Sequence, residues 1–252
     1  MPPICYHLGV VREAAQAFPD EDIGECLGAC LFGATLPDCH IIVGVNRAET
    51  HFIELPRSPS ESGVEGFFKI YPQFRTRGNA SAGLRALIAG YLSHLVIDEI
   101  WMEDVYRPYF GNYSPLAEDP MSSIMDRALQ YEMDRGERLN KTLMAEIRRL
   151  IRQWLPNENN TVDFIKLPEI IKWQKFVCLL TEIEPSWDRF NSYAHRFLLP
   201  KDNVSPEQLR AFLDSLPGGL QKTIDYISVQ RLEAFRQKAV QAARKIIEKY
   251  MI

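Results

Sequence analysis

His94 and Asp98 are the two residues of this sequence whose type and spacing best suit chemistry. They lie four residues apart, so on a helix their side chains are neighbours on one face. A buried carboxylate is costly unless it is paired or bound to a cation, and a His nitrogen with an Asp oxygen suits zinc. A plain hydrogen bond between the two, or an arginine from another helix paired with Asp98, also fits. The same face carries the apolar residues Leu84, Leu87, Tyr91, Leu95, Met102 and Val105.

Three further candidate metal ligands, His7, Asp38 and His51, lie in the first half of the chain. Asp38 follows Leu36-Pro37, which is predicted to end a helix, so its side chain lies at a turn. His51 follows a short irregular segment, and His7 lies near the start of the chain. Taken singly, such residues more often cap helices or lie on the surface. Together with His94 and Asp98 they form a set that packing alone does not require.

The sequence around these residues and along the rest of the chain shows mainly helical periodicity, which predicts an all-α fold. We expect one all-helical domain over residues 1–252, in which residues 1–155 form a metal-site core and residues 161–252 add helices packed on it. The run from Ile41 to Val43 is the best candidate for a strand. Helices are predicted over about 8–18, 23–34, 61–73, 81–106, 121–139, 140–155, 167–182, 206–216 and 221–250.

Three motifs in a fixed order give the sequence a family resemblance. They are Gly33-Ala34-Thr35-Leu36-Pro37-Asp38, then Thr50-His51-Phe52, then Ala89-Gly90-Tyr91-Leu92-Ser93-His94-Leu95-Val96-Ile97-Asp98 followed by Trp101. In this order they resemble the zinc-dependent phospholipase C family, which shares an all-helical fold with the single-strand-specific zinc nucleases. The resemblance covers about residues 1–110.

The resemblance implies a metal centre with defined ligands. Asp38, His51, His94 and Asp98 would hold one ion, and Asp98 would bridge to a second ion that also binds His7. The expected metal is zinc, as one or two ions, although another divalent metal also suits these ligands. The third metal site of the family uses histidines that residues 121–139 lack, since that stretch offers only Asp126, Glu132 and Asp134. A third site is therefore expected to be absent or rebuilt from carboxylates.

The activity implied by the resemblance is hydrolysis of a phosphate ester by a zinc-bound water, as in a phospholipase C-like phosphodiesterase. Asp98 would be the catalytic residue, and the substrate would be a small-molecule or lipid phosphate ester. One alternative is a non-catalytic, metal-binding helical protein that has lost the third site. Another is a helical interaction protein without a metal.

The composition excludes some classes of partner. A net charge of -4 argues against nucleic-acid binding, which normally requires a basic surface. Residues Met1 to Gly9 lack the pattern of a signal peptide, and charged residues interrupt the longest apolar stretch. We therefore expect a cytoplasmic protein without a membrane span, in which the five cysteines are reduced. The oligomeric state stays open.

Overall fold

The fold is all-α, as predicted, and no strand occurs among the residues that the structure describes. The structure is a computed structural model of the chain. The described residues are 1–19, 23–54, 58, 60–76, 78, 80–197 and 204–252.

The first half of the chain contains the helices and the turn that carry the candidate ligands. A 3-10 turn, Leu36–Cys39, follows the second helix, and a π-helical turn, Met102–Tyr106, extends the sixth. The helices are α1 (Ile4–Ala15), α2 (Leu27–Gly33), α3 (His40–Val43), α4 (Arg47–His51), α5 (Gly63–Ile70), α6 (Ala82–Trp101) and the single turn α7 (Arg107–Tyr109).

The second half of the chain continues with longer helices. The eighth and ninth are separated only by Asn140, whose side chain accepts a hydrogen bond from the N–H of Leu143 and so caps the ninth. These helices are α8 (Met121–Leu139), α9 (Lys141–Gln153), α10 (Leu167–Leu180), α11 (Trp187–Phe197), α12 (Pro206–Asp214), α13 (Gly218–Ile227) and α14 (Val229–Met251).

Helix α6 lies at the centre of the fold and packs mainly against α2 and α14. It is buried on all sides over most of its length, as expected for a helix without a polar face. Its crossing with α2 is close at Gly90, where an added Cβ would overlap the carbonyl oxygen of Cys30 and lie 2.7 Å from the nitrogen of Ala34. This close crossing places the C-terminal end of α2 against the middle of α6.

The largest hydrophobic core includes buried residues from α1, α2, α6, α9, α10 and α14. A smaller core joins α8 to α11 and α12 through Ile124, Phe190 and Phe212. The C-terminal helices also reach the turn that carries Asp38, because the indole N–H of Trp173 on α10 donates to Thr35 Oγ1 at 3.0 Å. Helices beyond residue 161 therefore contact the first half of the chain directly.

The structure differs from the sequence-based assignments in several places, among them the start of α1, which lies at Ile4 and not near residue 8, and the short helix α4 in a segment predicted to be irregular. The strand candidate Ile41–Val43 lies in the short helix α3, which ends at Gly44 in the left-handed region (φ 75°). The predicted helix over 221–250 is two helices, because Ser228 breaks it with φ 79°. Helix α11 was not predicted.

Among the described residues, no single helix is both long and apolar enough to cross a bilayer. One pair of segments bent by 44°, Gly24–Gly33 and Leu36–Val43, passes on length and composition alone.

Asp134 on α8 fixes the start of α1, the helix that carries His7. Pro3 precedes α1 and offers no side-chain cap. Instead, Asp134 Oδ1 accepts a hydrogen bond from the N–H of Cys5 at 2.8 Å, and its other oxygen lies 3.5 Å from Arg138. A carboxylate at a helix N-terminus is favourable, and this one comes from a distant part of the chain.

We expect Asp134 to make stability fall between about pH 4 and 6. Burial raises the pKa of its carboxyl to about 6 against the opposing effect of Arg138. Since the folded pKa exceeds the unfolded value, this contribution to stability is complete below about pH 4 and is lost as the pH rises to 6. Urea unfolding of the metal-free protein should show a decline of about 3 kcal/mol at most.

The comparison for this prediction is Asp134→Asn, which keeps an acceptor for the N–H of Cys5 but cannot titrate. The free energy of unfolding of the variant should lack that decline. Parallel pH curves for the two proteins would show that the carboxyl of Asp134 does not titrate in this range.

Candidate metal centre

The fold brings all five predicted ligands close together, in two overlapping groups that share His94. His7 comes from α1, Asp38 from the 3-10 turn Leu36–Cys39, and His51 from the last position of α4. His94 and Asp98 come from adjacent turns of α6. All but Asp38 are buried, and Asp38 is partly so. Two groups of three have ligand atoms within 4.8 Å of one another: His7, His94 and Asp98, and Asp38, His51 and His94.

His51 and His94 direct their Nε2 atoms toward each other, and Asp38 and Asp98 each place one oxygen within 4 Å of both. His94 Nε2 lies 3.3 Å from His51 Nε2 and 3.5 Å from Asp98 Oδ2. Asp38 Oδ1 lies 3.6 Å from His51 Nε2 and 3.9 Å from His94 Nε2. Asp98 Oδ2 lies 3.6 Å from His51 Nε2. Bond lengths of 2.0–2.2 Å around tetrahedral zinc would place neighbouring ligand atoms roughly 3.3 to 3.6 Å apart. Four of these five separations lie in that range, and the fifth exceeds it slightly.

Backbone carbonyls fix which nitrogen of each ring faces this centre. His94 Nδ1 lies 2.8 Å from the carbonyl oxygen of Ala34, which only accepts, so this Nδ1 donates. His51 Nδ1 lies 3.1 Å from Thr50 Oγ1 and 3.3 Å from the carbonyl oxygen of Arg47. Because Thr50 Oγ1 donates its own proton to that carbonyl, both neighbours of His51 Nδ1 accept, and both Nε2 atoms are left for a ligand. Metal-binding histidines are commonly held in this way by a second hydrogen bond.

His7 relates differently to the centre. Its Nε2 lies 3.3 Å from Asp98 Oδ1, but it makes its hydrogen bond to the carbonyl oxygen of Pro2 at 3.0 Å. Its ring stacks on that of His94, with centroids 3.8 Å apart and planes 15° apart. By contrast, the rings of His51 and His94 are inclined at 68° and converge at their Nε2 atoms.

Arg47 is a member of the site that the sequence motifs did not identify. Its Nη2 donates to Asp98 Oδ2 at 3.2 Å and also contacts the sulfur of Met1 at 2.9 Å. The sequence allows for an arginine from another helix that pairs with Asp98, and Arg47 forms this ion pair. Only its position one helical turn before His51 could have indicated from the sequence that Arg47 lies at the site.

The buried charges shift the pKa values of the candidate ligands. Burial alone would lower the pKa of His94, but the carboxylates of Asp98 and Asp38 outweigh burial and raise it. Burial alone would raise the pKa of Asp98, but His94 and His7 hold it well below its usual range. Burial and the charge of Arg47 hold the pKa of His51 well below its usual range. Asp98 is therefore anionic and His51 neutral at neutral pH, the forms in which they bind metals.

Helix α4 is anchored so that His51 is held in place. Asn46 and Glu49 form a capping box at its start, and Phe52 ends it in the left-handed region with φ 57°. The Phe52 ring packs edge-on against Phe67 at 5.2 Å. Gly66 allows α5 to approach this turn, since a Cβ there would overlap the carbonyl oxygen of Phe52. These contacts fix the backbone on the C-terminal side of His51.

A narrow cleft reaches the centre from the side of Arg47 and Asp98. Its volume of about 20 Å³ exceeds the roughly 10–15 Å³ that one water needs. Asp98 Oδ1 is buried and has no hydrogen-bond partner among the described residues. The cleft lining includes Met1, Arg47, His51, Ile53, Leu95 and Asp98.

The three carboxylates of α8 do not rebuild a third site within the described ranges. Asp134 caps α1, and Glu132 pairs with Arg135 at 2.6 Å. Asp126 is buried, but it belongs to no group of three potential ligands in the part of the chain that the structure describes.

Comparison of the chain with protein-family models, with curated proteins and with solved structures gave no match. The family resemblance therefore stays a prediction from the three motifs. What the structure adds is a His/Asp group whose arrangement suits a metal ion.

Proposed function

We propose that this chain binds a zinc-type divalent ion through Asp38, His51, His94 and Asp98. The observation that carries the proposal is the pair of His51 and His94, whose Nε2 atoms lie 3.3 Å apart while both Nδ1 atoms face carbonyls. Two lone pairs at that distance repel each other unless a cation lies between them. In the metal-free chain a proton on His94 fits this role, in line with its raised pKa, and zinc would displace it.

The donor set suits zinc better than magnesium or calcium. Two imidazole nitrogens and two carboxylate oxygens form a ligand set of intermediate softness, which zinc binds well, whereas magnesium and calcium prefer oxygen ligands alone. Other first-row metals bind the same ligand types, so the choice among them depends on affinity and supply.

We further propose that the centre hydrolyses a phosphate ester, either of a small molecule or of a lipid. Bound zinc lowers the pKa of a coordinated water toward neutrality and stabilises charge on a phosphoryl oxygen. Asp98 Oδ1 lies 3.3 Å from His7 Nε2 but has no hydrogen-bond partner in the described part of the chain, and its residue lines the water-sized cleft. This oxygen is therefore the candidate to orient a water by accepting a hydrogen bond from it. The proposal rests on this cleft together with the motif resemblance to the zinc-dependent phospholipase C family.

A second candidate function is the binding of a metal ion that only stabilises the fold. The small cleft favours it, because a structural zinc site is filled by protein ligands and gives a substrate little access. In this case the centre would bind zinc with the same four residues but turn over no ester.

The experiment that separates these functions combines metal analysis with phosphate-ester assays. The protein, prepared without chelator or a histidine tag, is analysed for zinc and then assayed with bis(p-nitrophenyl) phosphate and p-nitrophenyl phosphate. The hydrolase proposal expects bound zinc and turnover that His94→Ala abolishes. Zinc without turnover of either ester would favour the structural ion. Absence of metal after zinc addition would overturn both.

A further inference from the structure

Asp98 contacts a positively charged side chain, Arg47, in addition to the two histidines with which it would bind a metal ion. Its Oδ2 lies near both Nε2 atoms of the centre and also accepts from Arg47 Nη2 at 3.2 Å. The guanidinium is largely buried, and its Nη1 has no hydrogen-bond partner among the described residues. A permanent cation is therefore built into the wall of the centre.

The position of Arg47 is set by the same short helix that presents His51. Its backbone carbonyl orients His51 Nδ1, and its side chain contacts Asp98. One residue therefore touches two of the four proposed ligands. A guanidinium is charged at every relevant pH, so its effect on a nearby ion does not depend on protonation.

A second ion held by the group of His7, His94 and Asp98 would meet two obstacles. The His7 Nε2 atom nearest Asp98 donates to the carbonyl oxygen of Pro2, so its lone pair is not free. The rings of His7 and His94 are also nearly parallel at 3.8 Å. A metal ion binds in the plane of an imidazole ring, and stacked rings do not share one point in both planes.

We propose that Arg47 takes the place of a second metal ion on Asp98, so that the centre holds one divalent ion. The proposal rests on the proposed binding of metal by Asp38, His51, His94 and Asp98. His7 then acts as a positioning residue that supports the ring of His94. Arg47 compensates the charge of the buried carboxylate before any metal arrives, and it then competes with the ion for Asp98.

The first test is the number of zinc ions bound by the full chain at saturation. Equilibrium dialysis against zinc followed by elemental analysis should give one equivalent. Two equivalents in the wild-type protein would overturn the role of Arg47 while leaving metal binding intact. No bound zinc would overturn the proposed metal binding itself, and this inference with it.

The second test uses Arg47→Met and Arg47→Lys, with folding checked by circular dichroism. Removing a positive charge beside the ion should tighten zinc binding at least ~10-fold in Arg47→Met or admit a second equivalent, since close like charges repel strongly in a protein interior. Arg47→Lys keeps the charge and should bind one equivalent with nearly wild-type affinity. Unchanged or weaker binding by a folded Arg47→Met would contradict the proposal. If that variant does not fold, the wild-type stoichiometry decides.

Discussion

Asp98→Asn should weaken zinc binding more than ~100-fold, because loss of an outer partner of a metal ligand already costs ~10–100-fold. The substitution keeps the shape of the side chain but removes the negative charge that faces His94, His51 and Arg47. Competition with a chromophoric chelator measures the affinity. At a zinc concentration a thousand times the wild-type Kd, zinc should stabilise the wild-type protein by about 4 kcal/mol and the variant by about 1.4 kcal/mol or less, so the rise in melting temperature should be much smaller.

The matched control for this prediction is Asp104→Asn. Asp104 lies in the turn that continues α6, and its carboxylate pairs with Lys238 at 2.8 Å on the surface. Its loss should leave zinc affinity unchanged. Equal affinity of the Asp98 variant and the wild-type protein would remove Asp98 from the centre.

Gly90→Ala should destabilise the metal-free protein by about 3 kcal/mol, the upper end of the range for overpacking. The new methyl group would overlap the backbone of Cys30 and Ala34, which cannot move away as a flexible side chain would. Helices α2 and α6 must therefore separate. For a chain of this length we expect the melting temperature to fall by about 6 to 12 °C, as measured by circular dichroism with chelator present.

Gly83→Ala is the control for the effect of alanine in the same helix. A Cβ at Gly83 would make an ordinary contact, 3.5 Å from Asn160 Cβ. Since alanine favours helix over glycine, the variant should be as stable as the wild-type protein or up to about 1 kcal/mol more stable. Similar melting temperatures for the two glycine variants would show that the crossing of α2 and α6 is not as close as described.

The sequence alone predicted the all-α fold and most of the long helices. Helix α8 begins and ends where its periodicity and flanking Pro120 and Asn140 place it. The break at Ser228 was not predicted, because both sides of it have helical periodicity and the serine adopts a backbone conformation that its type does not favour. The strand-like composition of Ile41–Val43 was overridden by its neighbours, as is common for short segments.

The candidate site was predictable in part for a clear physical reason. His94 and Asp98 are linked by helical spacing, which is local information. Asp38 and His51 were singled out as ligand-type residues, but only the family resemblance placed them in one site with His94 and Asp98, since no local rule connects residues so far apart. Arg47 and the carbonyl of Ala34 depend on contacts 51 and 60 residues distant in sequence, and nothing in their residue types marks those contacts.

The most direct measurement is a crystal structure of the zinc-loaded protein with anomalous diffraction recorded on both sides of the zinc absorption edge. We predict one strong anomalous peak about 2.0–2.2 Å from His51 Nε2, His94 Nε2 and an oxygen of each of Asp38 and Asp98. A peak elsewhere, or a zinc-saturated crystal without a peak between these four side chains, would contradict the proposed centre.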